Sequence, residues 1–128
     1  MKILVTGTAG FIGAAVVKAL LKRGCEVVGM DNINTYYDTN LKYARLADAG
    51  IDKDSVCDGV LTVSSKNASY RFIKMDLNDR AGMEKLFSTE GFDVVINLAG
   101  QAGVRYSIEN PYAYVESNVL GFLNILEC

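Results

Sequence analysis

Thr6-Gly7-Thr8-Ala9-Gly10-Phe11-Ile12-Gly13 decides the fold of this chain. Before it runs Lys2 to Thr6, a short β-branched stretch that reads as a buried parallel strand. After it, Phe11 to Arg23 turns helical, with Ala15, Val16, Ala19 and Leu20 on one face, Lys18 and Lys22 on another, and Gly24 as the stop. A glycine turn between a strand and a helix is the setting that the dinucleotide fingerprint requires. Gly7 permits the tight turn, Gly10 lets bare backbone approach a pyrophosphate, and Gly13 lets the helix close on the sheet. An anion at that helix start meets free amide protons and the positive end of the helix dipole. The spacing is G-x-x-G-x-x-G because Ala occupies position 9. Three glycines alone would equally serve a plain, closely packed turn.

A second strand, Glu26 to Met30, brings Asp31 to its end, 18 residues past Gly13. A carboxylate there accepts both hydroxyls of an adenosine ribose and repels a ribose 2'-phosphate, which favours NAD over NADP. The plainer reading of Asp31 is a surface residue opening a loop. Asn40 to Ala49 is expected to be helical up to Gly50, and 51–69 to be an irregular excursion with one short strand candidate at Val60 to Val63. Tyr70 to Met75 reads as the third strand, and Arg80 to Thr89 as a helix with Met83, Leu86 and Phe87 inward. Phe92 to Leu98 reads as the fourth strand. Asn110 caps a last helix with Pro111 in its first turn, and Val115, Val119, Phe122 and Leu126 form a stripe expected to face a core.

Strands alternating with helices predict an α/β fold: a Rossmann-like three-layer αβα domain over 1–128, with a parallel sheet of order 3-2-1-4 that stops after the fourth strand and following helix. The chain has 128 residues, a net charge of -2 and hydrophobic residues at half its positions. That suits one globular domain and lacks the basic surplus that a nucleic-acid partner requires. With no His and three scattered Cys, neither a metal site nor a disulfide framework is expected. Free thiols fit a cytoplasmic location. The uncharged run Ile3 to Val17 holds three glycines and is too short to span a bilayer, so no membrane partner is expected.

The chain resembles the extended short-chain dehydrogenase/reductases that act on nucleotide sugars, most of all the UDP-glucuronate 4-epimerases. The resemblance rests on Thr6 to Gly13, on Asp31-Asn32-Ile33-Asn34-Thr35-Tyr36-Tyr37-Asp38, and on Leu41-Lys42-x-x-Arg45-Leu46. It continues through Asn97-Leu98-Ala99-Gly100-Gln101-Ala102-Gly103-Val104-Arg105-Tyr106-Ser107, Asn110-Pro111, and Tyr114-x-x-Ser117-Asn118-x-x-Gly121-Phe122-x-Asn124-Ile125-Leu126-Glu127. It implies that Gly7, Gly10, Phe11, Ile12 and Gly13 hold the pyrophosphate of NAD, and that Asp31 and Asn32 hold the adenosine ribose. By the same likeness Asp76 and Leu77 contact the adenine, and Leu98, Ala99, Gly100 and Gln101 lie along the nicotinamide side. Asn118, which interrupts the apolar stripe, matches the family's central-helix Asn; it either touches the cofactor or braces the loop after the fourth strand. Arg105 suits an anionic group of the ligand, although a surface salt bridge is the better expectation.

The implied activity is 4-epimerisation of a nucleotide sugar by transient hydride transfer to NAD. Two departures stand out. Asn97 replaces the His that family members often carry, and the family's catalytic Ser or Thr and Tyr-x-x-x-Lys belong beyond residue 128. No catalytic residue is therefore assigned, and the chain alone is expected to be inactive. Tyr70-Arg71-Phe72-Ile73-Lys74 fits Tyr-x-x-x-Lys, but strand residues four apart lie about 13 Å from each other, too far for the lysine to activate the phenol. The alternatives are a stand-alone nucleotide-binding or regulatory module, or a domain of a nucleotide-sugar dehydratase or reductase. An open sheet edge and the last helix are expected to pair chains into a homodimer or higher oligomer.

Overall fold

A computed structural model describes all residues, Met1–Cys128. The elements are β1 (Lys2–Thr6), α1 (Phe11–Lys22), β2 (Glu26–Asp31), α2 (Thr39–Asp48), β3 (Leu61–Val63), β4 (Tyr70–Lys74), α3 (Arg80–Glu90), β5 (Val94–Asn97), α4 (Val104–Glu109), α5 (Pro111–Val115) and α6 (Gly121–Glu127). A π-helical turn, Glu116–Leu120, joins the last two.

The sheet order is β3-β4-β2-β1-β5. β4, β2, β1 and β5 run parallel, with Leu4 opposite both Val28 and Val95. These four strands are the expected 3-2-1-4 sheet. The correction lies in 51–69, whose strand β3 adds antiparallel to β4, with Thr62 opposite Phe72. The excursion is also anchored: Ile51 is fully buried, and Ser64 Oγ donates to the Ala49 carbonyl (2.7 Å) while accepting the Lys66 and Asn67 amides. Its polar composition hides this because the ties rest on one apolar side chain and on one serine hydroxyl that bonds main-chain atoms.

Two apolar layers flank the sheet. Ile3, Val5, Val27, Tyr70 and Phe72 meet Val17 of α1 and Leu46 of α2 on one face. Leu4, Val28 and Ile73 meet Met83 and Leu86 of α3 and Ile125 of α6 on the other. At about 25 cal/mol per Å², such burial supplies the main drive for folding. Phe87 joins the second layer, as the helical spacing predicts.

Two helix faces differ from expectation. In α1 the inward residues are Val16, Val17, Leu20 and Leu21, and Ala15 and Ala19 face solvent. In the last helix the predicted stripe points outward, with Val119 58% and Leu126 64% exposed. The inward line is Gly121, Asn124 and Ile125. Gly121 has no side chain to meet Leu77, so the helix comes close enough for Asn124 Nδ2 to donate to the Leu77 carbonyl (2.7 Å). Periodicity reports that a helix is two-faced, not which face its own core takes.

Candidate functional site

A cleft of about 270 Å³ opens at the carboxyl ends of β1, β2, β4 and β5. Crossovers on opposite faces of the sheet diverge at this point, where open α/β sheets take ligands. Its floor is the glycine turn. Gly7 has φ 76°, a left-handed conformation that favours glycine, and a Cβ there would press on the Ala99 amide nitrogen at 3.0 Å. The Gly7 and Thr8 amides donate to the Met30 carbonyl, the Ala9 amide donates to Asp31, and the Gly10 amide closes the turn on the Gly7 carbonyl. The three amides that follow, of Phe11, Ile12 and Gly13, find no acceptor in the chain. α1 therefore starts with a cluster of free donors, which an anion satisfies.

Asp31 forms one wall. Its two carboxylate oxygens accept the Ala9 amide (3.0 Å) and the Ile33 amide (2.9 Å), which leaves each oxygen a second lone pair. The clasp holds Ile33 at φ 52°, a strained backbone for a β-branched residue. Asn32 Nδ2 donates to Asp76 Oδ2 (3.2 Å), and Asp76 Oδ1 accepts the Asn78 amide. The ends of β2 and β4 are thus joined through side chains.

Thr6 sets the opposite wall. Its hydroxyl donates to Asn97 Oδ1 (2.5 Å) and accepts the amides of Leu98 and Ala99, both at 3.0 Å. Asn97 is thereby a structural partner of Thr6. Asn118 does not itself line the cleft but braces its Gln101 wall: its Oδ1 accepts the Gln101 amide (2.8 Å) and its Nδ2 donates to the Gln101 carbonyl (3.0 Å). Both of these bonds lie at the surface.

Gly7, Gly10, Asp31, Asn32, Asp76, Leu77 and Leu98 to Gln101 all line the cleft. Phe11 and Ile12 turn their side chains to solvent and offer only their amides. Gly13 is buried against Gly7, so its small size serves packing. Arg105, on α4, takes part in no ion pair, which corrects the expected surface salt bridge. Tyr70 and Lys74 are separated in function as well as space: Tyr70 is buried, and Lys74 pairs with Asp58 at 3.4 Å.

Sequence reasoning gave no role to Lys42. It is 7% exposed, its Nζ donates to the Asn34 carbonyl (2.9 Å) and to Asn34 Oδ1 (2.8 Å), and it lines the cleft. Burial holds its ammonium below the usual lysine range, Asp31 pulls the other way, and Arg45 adds to the lowering. The signal was available: Lys42 stands four residues before Leu46, on the face that α2 buries. Tyr36, edge-on to Tyr37 and tilted against Tyr106, adds an aromatic lip.

A doubly wound sheet with free amides at the first helix and a carboxylate after the second strand defines a Rossmann-type nucleotide-binding domain. Comparison with known proteins narrows the class. A family model described as GDP-mannose 4,6 dehydratase matches residues 4–128, and the chain belongs to that family. It is 47% identical over 128 residues to Protein CapI of Staphylococcus aureus, covering 100% of this chain and 34% of that protein. It is 46% identical over 125 residues to UDP-glucuronate 4-epimerase 3 of Arabidopsis thaliana, covering 98% of this chain and 25% of the relative. Among solved structures, the UDP-glucuronic acid 4-epimerase of Bacillus cereus, in complex with UDP-glucuronic acid and NAD, superposes with a TM-score of 0.79 at 32% identity. That match covers 99% of this chain and 35% of the other. The UDP-glucose 4-epimerase of Thermus thermophilus, in complex with NAD, gives a TM-score of 0.69 at 36% identity, with 99% and 33% covered. The chain spans about a third or less of the length of the curated relatives it matches. No helix is long and apolar enough to cross a membrane.

Proposed function

We propose that this chain is the NAD-binding part of a nucleotide-sugar 4-epimerase of the UDP-glucuronate type. The observation that carries the reading is the row of free amides at Phe11, Ile12 and Gly13, beside a cleft that ends on Asp31. The residues fit the cofactor. Bare glycine backbone and free donors suit a pyrophosphate, the unused lone pairs of Asp31 suit the ribose hydroxyls, and Asp76 with Leu77 suits the adenine. Leu98 to Gln101 would run beside the nicotinamide ribose. NAD, when bound, supplies a hydride acceptor and donor. The names of the relatives and the complexes of the solved neighbours support the same cofactor and a nucleotide-sugar substrate.

Titration calorimetry on the 128-residue chain tests the cofactor. The expected result is saturable NAD binding, with NADP weaker by about tenfold or more because its 2'-phosphate meets the Asp31 carboxylate. Equal affinity for the two would overturn the assignment of Asp31. The pure chain should not interconvert UDP-glucuronate and UDP-galacturonate, since it holds no Tyr–Lys pair on a helix; measurable turnover would sink that part.

We further propose a homodimer or higher oligomer in the cytoplasm, formed through the outward stripe of the last helix or the open edge of β5. Val115, Val119, Phe122 and Leu126 expose a contiguous apolar face, and three unpaired thiols suit a reducing compartment. Light scattering should return at least twice the chain mass, and Val119→Glu should halve it if the helix is the interface. A single-chain mass for the unaltered protein would contradict the assembly.

A further inference from the structure

A second and larger cavity, about 420 Å³, lies between α1 and α2 and shares no lining residue with the cleft. Both helices rest on the same face of the sheet but scarcely pack on each other. The gap has a polar floor. Gly29 leaves β2 without a side chain, and the Tyr70 hydroxyl and Thr8 Oγ1 lean over it, 2.6 and 2.9 Å from where a methyl at position 29 would stand. Thr8 is 2% exposed, and its Oγ1, beside the Tyr70 hydroxyl, makes no hydrogen bond of full geometry within the chain. A hydroxyl so weakly paired keeps capacity to bond a molecule that enters the gap.

The walls and rim define what that partner is. Ala14, Val17 and Leu21 of α1 make an apolar wall. Around them stand Lys18 and Lys22 from α1, Arg45 from α2 and Lys66 from the excursion, against the single carboxylate of Asp48. Lys18 and Lys22 take part in no ion pair. Arg45 gives Nη1 to the Ala9 carbonyl (3.1 Å) and Lys66 gives Nζ to the Asp48 carbonyl (3.0 Å), so their neighbours on this rim are carbonyls rather than carboxylates. Four cations in one cavity mouth favour a multiply charged anion, and apolar walls favour a ligand with an apolar body.

We propose that this cavity is a second ligand site, for a phosphate ester of a small apolar group, with the phosphate at the cationic rim and the body between the helices. It is independent of the cofactor reading, since the two cavities have no residue in common. Phenyl phosphate is the probe, added to the 128-residue chain and followed through its backbone amide resonances. The expected result is saturable shifts at Val17, Leu21 and Ala49. The double variant Lys18→Glu/Lys22→Glu, and separately Lys66→Glu, should weaken binding on the order of tenfold. Inorganic phosphate and phenol should each bind more weakly than phenyl phosphate. The proposal is overturned if shifts are confined to Gly7, Gly10 and Asp31, if inorganic phosphate binds as well as the ester, or if neither charge reversal weakens binding. The two sets of variants lie on different elements, so misfolding of one leaves the other decisive.

Discussion

Gly13 lies so close to Gly7 that a methyl group on it would sit 2.7 Å from the Gly7 carbonyl carbon and closer still to its oxygen. Helix propensity favours alanine over glycine by about 1 kcal/mol, whereas packing forbids it here. The neighbour is backbone and has nowhere to turn. Gly13→Ala should therefore destabilise the chain by about 3 kcal/mol and weaken NAD binding, because α1 must lift from the turn. Urea unfolding checks the sign, and a more stable variant would contradict the packing argument.

Asn118 holds Gln101 at both its amide and its carbonyl. Both bonds are solvent-exposed, so Asn118→Ala should lower global stability by only about 1 kcal/mol. The local effect should be larger. Hydrogen exchange at Gln101 should accelerate in Asn118→Ala, with exchange in β1 and β2 unchanged. Asn118→Asp keeps the acceptor for the amide and should preserve most of that protection.

Glu90 gives acid sensitivity. Its carboxylate, 6% exposed, accepts from Arg71 Nη1 (2.9 Å) and Lys2 Nζ (3.2 Å), tying the last turn of α3 to β4 and β1. The Arg71 hydrogen bond, more than any other influence, holds the Glu90 carboxyl below its ordinary 4.5. The folded state therefore binds this proton less readily than the unfolded chain does. Its stabilisation is fully present above about pH 4.5 and is lost as pH falls through the lowered folded value. Glu90→Gln should cost about 2 kcal/mol at pH 7 and flatten the decline below pH 4.5, as read from denaturant midpoints across pH.

Tyr70 gives the opposite limit. Burial, more than any other influence, pushes its hydroxyl up to about 12, the Thr8 hydroxyl pulls it down, and Asp31 adds to the rise. The unfolded chain loses this proton near pH 10 and the folded chain later. Its contribution is constant below about pH 10 and is lost as pH climbs from about 10 toward 12. Tyr70→Phe should reduce the alkaline loss of stability, measured by thermal unfolding between about pH 9 and 11.

The strand order and the glycine turn were legible because each strand is a nearly continuous apolar run and each crossover carries a strong stop. Asp31 was legible by its distance from Gly13. Three features were not. β3 is three residues long and owes its place to pairing with Tyr70–Lys74, which no local pattern encodes. The outward stripe of the last helix follows from Gly121 meeting Leu77, a contact between residues 44 positions apart. Thr6 reads as the end of a strand, yet its one hydroxyl fixes the loop after β5.

Gly29 lies outside the glycine motif, on a strand where any small apolar residue satisfies the pattern. The structure nevertheless binds its identity to two others, since the hydroxyls of Tyr70 and Thr8 fill the volume that a side chain at 29 would take. Positions 29, 70 and 8 are therefore one unit of sequence change. Giving up the hydroxyl at position 70 removes the nearest of these contacts, so Gly29→Ala should be markedly better tolerated beside Tyr70→Phe than alone, a dependence that neither substitution reveals by itself.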